Sequence, residues 1–244
     1  MMKTAAIIVA AGVGKRMNST TKKQYMNIGG YPVLYYTLRA FEQSCVEDII
    51  LVTGADEIDF VSTEIVKKFG FSGVRAVIAG GKERYDSVYC GIRYLKDVLK
   101  ADDTVTVLVH DGVRPLVTVK LIDAVALAAE ENGASIAAVS VKDTVKSVDI
   151  NNVVTGTPDR SELRLIQTPQ GFELGLLSGA YEKMYAPGLN REGAEPSIKI
   201  TDDAMLVEQF TGHPVYCIEG DYGNIKITTP DDIRLAEFLL GGRA

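Results

Sequence analysis

A chain of 244 residues with 46% hydrophobic content can bury the core of one large α/β domain, and none of its apolar runs is long enough to span a membrane. Its 32 acidic and 26 basic side chains leave a net charge of −6, which argues against non-specific nucleic-acid binding and assigns any clustered cations to a small anionic ligand. Cys45, Cys90 and Cys217 are widely spaced and form no C-x-x-C pair, which predicts reduced thiols in a core; His110 and His213 are too few to build a zinc site.

The apolar run Ala5-Ala6-Ile7-Ile8-Val9 predicts a buried strand and passes directly into Ala10-Ala11-Gly12-Val13-Gly14-Lys15-Arg16-Met17. Glycines and cations interrupt this run too soon for a signal peptide, so a cytoplasmic protein is expected. A dinucleotide fingerprint needs a third glycine where Met17 stands, and a Walker loop needs glycine and Ser or Thr where Val9 and Arg16 stand. Small residues that admit backbone N–H groups to an anion, with Arg16 and the pair Lys22-Lys23 nearby, point to a phosphate loop; Gly12 and Gly14 alone would read as an ordinary turn.

Strand-like and helix-like segments then alternate, the pattern of a Rossmann-like, mostly parallel twisted sheet with helices on both faces. Leu34, Leu38, Phe41 and Cys45 mark one helix face, residues 48–53 a strand, and Ile58, Val61, Ile65, Val66 and Phe69 a second helix. A strand at 74–79 and a helix carrying Val88, Ile92, Leu95 and Leu99 follow. Next come a strand at 104–110, a helix at 119–132 and a strand at 135–141. Within 142–164, two short β-prone pieces flank Asp149-Ile150-Asn151-Asn152 and predict a hairpin arm too small to be stable unsupported, for which a second subunit is the natural support. Helices at 173–185 and 202–210 and strands at 215–219 and 224–228 precede a last helix. That helix is signalled by Thr229 at its N-cap, Pro230 at its first position and Asp232 closing a capping box. Residues 187–197 read as a loop, and residues 1–244 as one domain carrying the arm.

Ligands in such sheets bind beyond the carboxyl ends of the strands. Gly80-Gly81-Lys82-Glu83-Arg84-Tyr85-Asp86-Ser87 sits at one such end, suited either to meeting a base edge or simply to capping a helix through Asp86 or Ser87. His110-Asp111-Gly112-Val113-Arg114-Pro115 sits at another, where Asp111 suits a magnesium ion shared with phosphates or else a salt bridge to Arg114. Lys226 falls among residues that read as buried, and a buried lysine needs an anion to meet.

In order and spacing these elements resemble the cytidylyltransferases of the non-mevalonate isoprenoid pathway, which join CTP to 2-C-methyl-D-erythritol 4-phosphate. The resemblance runs from Thr4 to about Phe238. It rests on Ala-Ala-Gly-x-Gly-x-Arg-Met at Ala10 to Met17, Lys-Gln-Tyr at Lys23 to Tyr25, the Gly-Gly cluster at Gly80 to Ser87 and Val-His-Asp-Gly-x-Arg-Pro at Val109 to Pro115. Lys142 to Lys146, Thr168 to Phe172, Thr201 to Ala204 and Asn224 to Thr228 complete it.

That resemblance implies a nucleotidyltransferase fold and in-line attack by a substrate phosphate oxygen on the α-phosphorus of CTP. Arg16 and Lys23 then match cations that stabilise the transition state; Ala10, Ala11, Gly12, Gly14, Gly81 and Ser87 match contacts to cytosine and triphosphate. Asp111, Arg114, Thr168 and Lys226 match the surroundings of the phosphates and of Mg2+ or another divalent cation, which Asp111 would ligate. Lys226 shares in catalysis. Thr144 and Arg160 match contacts to the sugar phosphate of the neighbouring subunit, which implies a homodimer with exchanged hairpin arms. Val113 and Lys82 depart from the alanine and aspartate frequent in that family. The alternatives are the related ribitol 5-phosphate cytidylyltransferases of teichoic acid synthesis, to which Val113 points weakly, and a catalytically silent CTP-binding module, which would not need Arg16, Lys23, Asp111 and Lys226 together.

Overall fold

Alternation along the first strand decides how the core is laid out. In the computed structural model, which describes residues 4–12, 21–186 and 200–242, β1 (Thr4–Val9) sends Ala5 and Ile7 to one face of a sheet and Ala6 and Ile8 to the other, all almost fully buried. A strand buried on both faces reads as a continuous apolar run, which is the pattern of residues 5–9.

A small pair, β2 (Asn27–Ile28) and β3 (Tyr31–Pro32), leads to α1 (Val33–Glu42) and β4 (Asp48–Thr53). The next helix starts as α2 (Ile58–Phe60) and runs on as a π-helical stretch, Val61–Lys67, before β5 (Val74–Ala79). α3 (Arg84–Arg93) likewise continues in a π-helical turn, Tyr94–Val98, ahead of β6 (Thr106–Asp111), α4 (Val119–Asn132) and β7 (Ala134–Ser140). The arm carries β8 (Ser147–Val148) and β9 (Val154–Gly156), after which β10 (Arg164–Glu173), α5 (Leu174–Tyr185), α6 (Asp203–Thr211), β11 (Tyr216–Glu219) and α7 (Pro230–Gly241) complete the described chain.

Seven strands form the main sheet in the order β11-β7-β10-β6-β1-β4-β5. The pairs β1 with β4, β1 with β6, β4 with β5 and β11 with β7 are parallel, while β10 is antiparallel to both its neighbours. Val88 and Ile92 of α3, Leu177 of α5 and Leu206 of α6 pack on the Ile7 face. Leu38 of α1, Ile65 of the first π-helical stretch and Ile122 of α4 pack on the Ile8 face. The expected sheet with helices on both faces is therefore present.

Four expectations are corrected. β10 is a strand that the sequence pattern does not announce; it enters between β6 and β7, with its register shift between Ile166 and Gln170 spanning Pro169. Residues 224–228 form no strand and are held instead by bonds such as Ile227 N–H to Val113 O at 2.9 Å. The three cysteines are free thiols, but Cys45 and Cys217 are exposed and Cys90 half-buried, so they do not belong to the core; Cys45 also lies beyond the end of α1. Lys22 pairs with Glu57 at 3.0 Å rather than joining a phosphate loop.

Candidate active site

The strand order reverses at β1. From β1 the chain steps outward to β4 and β5, then returns to β6 on the other side of β1, which leaves a crevice at the carboxyl ends of β1 and β6. Val9 is in register with Asp111 there, so the loop after β1 and the Asp111 segment face each other across the same opening.

A cleft of about 440 Å³ occupies that crevice, and its charged lining consists of Lys23, Lys82, Arg84 and Lys226 against Glu83 and Asp111. An excess of positive charge in a protein of net charge −6 selects an anion. A second cavity of about 250 Å³ adjoins it, lined by Arg114, Gln167, Thr168, Gln170 and Asp202, and Arg84, Asp111 and Lys226 line both, so that three cations there outnumber two carboxylates. The Asp111 carboxylate thus stands between two anion-suited spaces.

Each Asp111 oxygen is held by a cation, Oδ1 by Arg84 Nε at 2.9 Å and Oδ2 by Lys226 Nζ at 2.6 Å. Burial alone would raise the Asp111 carboxyl, but Arg84 and Lys226 overcome it and keep the group well below the usual carboxylate range. Arg84 reaches further, its Nη1 donating to Asp203 Oδ2 at 2.8 Å, and Tyr181 Oη donates to the other Asp203 oxygen at 2.6 Å. Asp203 is fully buried. Gln170 Oε1 accepts from the Asp203 and Ala204 amides at the start of α6, which ties β10 to this network.

The expected salt bridge between Asp111 and Arg114 is replaced by the one to Arg84. Arg114 instead donates Nη1 to Asn224 O at 2.7 Å, and its buried Nε has no partner among the described residues. The Arg114 guanidinium also lines the second cavity, and a guanidinium there suits a phosphate. Beside it, Thr168 Oγ1 accepts from Asp111 N–H at 3.1 Å and shares a hydrogen bond with His110 Nδ1 at 3.0 Å. Burial pushes the His110 imidazole down to about 3, so it is neutral at ordinary pH.

Most of the expected residues converge. Lys23, Ala10, Ala11, Gly12, Gly81, Ser87, Asp111 and Lys226 line the first cavity, and Arg114 and Thr168 the second. Arg16 and Gly14 lie outside the described residues. Lys226 is less buried than expected, its side chain being 37% exposed where it meets Asp111. Ala10 is a wall, because its N–H already bonds Val52 O at 2.7 Å and its carbonyl accepts from Gln24. Gly12 has no positive φ, and a Cβ there would meet nothing within 4 Å, so the glycine leaves room for a ligand and no turn requires it.

At Gly81 a Cβ would collide with the Asp86 Cβ, so that turn admits only glycine. The capping reading of this cluster is realised at Asp86, and the turn also lines the first cavity. Asp86 caps α3 by accepting from Glu83 N–H at 2.8 Å, while the buried Ser87 hydroxyl accepts from Gly81 N–H and donates to Glu83 O, shaping the cavity wall rather than offering a free hydroxyl. Thr144 and Arg160 are exposed on the arm and line neither cavity; Arg160 Nη1 donates to Lys142 O at 2.8 Å.

Sequence reasoning misses Arg84, Asp203 and Gln24. Arg84 is visible inside the Gly80 to Ser87 cluster, but nothing local marks a partner as distant in sequence as Asp203. Gln24 is visible within Lys-Gln-Tyr.

No group of three His, Cys, Asp or Glu side chains among the described residues is placed to hold a metal ion. Asp111 therefore fits magnesium only as a single hard oxygen ligand, whose remaining ligands must be phosphate and water. Arg84 and Lys226 beside it repel a bare divalent cation, so the fit requires nucleotide phosphates in place.

A doubly covered α/β sheet whose switch point holds two joined, cation-lined cavities can hold two phosphorylated ligands side by side, as a nucleotidyltransferase must. The chain belongs to the 2-C-methyl-D-erythritol 4-phosphate cytidylyltransferase (IspD) family, whose model matches residues 4–242. It is 47% identical to the protein of that name from Lachnoclostridium phytofermentans over 98% of this chain and 97% of that one, and 44% identical to that of Alkaliphilus oremlandii over 99% and 96%. Its fold is similar to the crystal structure of 4-diphosphocytidyl-2C-methyl-D-erythritol synthase from Anaerococcus prevotii, with a TM-score of 0.82, 35% identity and coverage of 98% and 96%. These matches support the methylerythritol reading and not the ribitol one, and they make the chain an enzyme rather than a silent binding module.

Proposed function

We propose that the chain transfers the cytidylyl group of CTP to 2-C-methyl-D-erythritol 4-phosphate. A phosphate oxygen of the polyol phosphate forms a bond to the α-phosphorus as the bond from that phosphorus to the β-phosphate bridging oxygen breaks, and CDP-methylerythritol and pyrophosphate result. The observation that carries this reading is the Asp111 carboxylate between two cavities, one suited to a triphosphate and one to a single phosphate. Transfer of this kind asks for positioning and charge neutralisation more than for a protein nucleophile.

In this reading the first cavity takes CTP. The Ala11 and Gly12 amides face the triphosphate, and the Gly81 to Ser87 turn frames the base. Lys23, whose Nζ donates to Ile227 O at 2.9 Å, stands beside the charge that builds on the α-phosphate, a role that the sequence resemblance also gives to Arg16. Arg114 and Thr168 seat the phosphate of the acceptor, and Lys226 bridges the two spaces. Asp111 does not exchange protons; ionised throughout the working pH range, it orients Arg84 and Lys226 toward both phosphates. Mg2+ held by Asp111 together with the triphosphate would supply further charge neutralisation.

The same reading extends to assembly. Val148, Ile150, Val153 and Val154 leave the small hairpin with an exposed apolar surface, and Ile150 is 96% exposed. Monomeric surfaces rarely gather such groups without a partner. We take the chain as one nucleotidyltransferase domain whose arm, residues 142–164, crosses to a second copy, bringing Thr144 and Arg160 to the partner's second cavity. The deciding experiment measures pyrophosphate release from CTP with methylerythritol 4-phosphate and with ribitol 5-phosphate; release with the first alone is expected, and release only with the second, or with neither, overturns the proposal.

A further inference from the structure

Gln24 lies at 1% exposure against the loop that leaves β1 and lines the first cavity. Its amide Nε2 donates to Ala10 O at 2.7 Å and to Gly12 O at 3.2 Å. Both partners are carbonyl oxygens, so only the amide nitrogen can face them, and the orientation of the group is fixed by its neighbours. A trans peptide points its carbonyl and the following N–H in opposite directions. Drawing the Ala10 carbonyl onto Gln24 therefore turns the Ala11 N–H away from Gln24. Ala10 N–H is committed to Val52 O, whereas the amides of Ala11 and Gly12 have no partner among the described residues.

We infer that Gln24 is a positioning residue for the nucleotide: by pinning two carbonyls of the first loop it presents the Ala11 amide to the triphosphate. This rests on the reading of the first cavity as the CTP site. An anion-binding loop must turn its carbonyls away from the anion, and each carbonyl so turned needs a donor behind it. Gln24 supplies one donor group to two of them. The chain's own pattern, a glutamine directly after Lys23, thus places a transition-state cation and the support of the phosphate loop on one turn, Lys23–Tyr25.

The test compares Gln24→Met, which removes the donor at similar volume, and Gln24→Glu, which replaces it with a carboxylate that repels both carbonyls. Calorimetric CTP binding to wild type at pH 8 comes first, since failure there would overturn the nucleotide reading itself. With wild-type binding in hand, both variants should bind CTP about ten- to a hundredfold more weakly, while KM for the polyol phosphate stays within about twofold. The pH dependence separates positioning from packing. The carboxyl introduced by Gln24→Glu regains an O–H donor when it is protonated, so the deficit of that variant relative to wild type shrinks as pH falls from 9 to 6, and that of Gln24→Met does not. Folded variants that bind CTP like wild type, or that weaken both substrates equally, overturn the inference. If neither variant folds, the amide resonance of Ala11 in the wild-type protein decides: a marked CTP-dependent shift is expected, and an unmoved resonance at saturation overturns it.

Discussion

Arg84→Met tests the network behind the site. The substitution keeps the apolar stem and deletes a guanidinium that holds Asp111 at 2.9 Å and Asp203 at 2.8 Å. Asp111 retains Lys226, but Asp203, fully buried, is left with the Tyr181 hydroxyl as its side-chain donor. Breaking a buried ion pair from one side costs about 3–5 kcal/mol, and because the Arg84 side chain is 27% exposed the expected loss is lower, about 2–4 kcal/mol. For a chain of this size that lowers Tm by about 4–16 °C. Adding Asp203→Asn removes the stranded charge and should return roughly 1–3 kcal/mol relative to Arg84→Met alone, and a double-mutant cycle in urea should show the two single losses to be less than additive. An Arg84→Met protein within about 0.5 kcal/mol of wild type, or single losses that simply add, would refute the reasoning.

Lys23→Ala should lower kcat by about 10²- to 10³-fold with a smaller change in CTP affinity, measured by steady-state kinetics beside calorimetry; near wild-type turnover removes its assigned role. Asp111→Asn should cut activity and raise the magnesium concentration needed for half-maximal rate, and titration of the nucleotide-free protein should show no tight magnesium site. His110, held down to about 3 by burial, stays unprotonated in the folded chain while the unfolded chain takes up a proton below about 6.5. Stability therefore falls as pH drops through that window, by up to about 1.4 kcal/mol per pH unit, and His110→Gln should flatten this slope in Tm against pH. Mixing Arg16→Ala with Arg160→Ala chains should restore part of the activity if arms are exchanged; demonstrated subunit exchange without recovery contradicts the exchanged arm.

The parallel half of the fold is legible because its signals are local. The apolar run of β1, the helical spacing of Leu34, Leu38 and Phe41, and the capping box at Thr229 and Asp232 each specify an element without reference to the rest of the chain. β10 is not legible, since Thr168-Pro169-Gln170-Gly171 carries turn residues, and proline is tolerated within a sheet only where the ladder is already irregular, as between Ile166 and Gln170. Residues 224–228 mislead in the opposite sense. They alternate like a strand, yet Ile227 bonds Val113 and Lys23, and Asn224 bonds Arg114 and Thr168, rather than a neighbouring strand. Within the site, loop glycines and strand-end charges announce the cavities, but the roles of Arg84 and Gln24 depend on partners that only folding brings near: Asp203 for one, the carbonyls of Ala10 and Gly12 for the other.

The most direct test of direct transfer at the α-phosphorus is the stereochemical course with CTP made chiral by sulfur at that phosphorus. Among the described residues the first cavity is lined by cations, amides, the Glu83 carboxylate, a Ser87 hydroxyl bonded to Gly81 and Glu83, and an Asp111 carboxylate already held by two of those cations, with no cysteine or histidine on its wall. A single in-line displacement inverts configuration, and inversion in the CDP-methylerythritol product, with pyrophosphate released in equal amount, is the predicted result. Retention would mean two successive displacements through a nucleotidylated side chain and would contradict a site that works by positioning and charge alone.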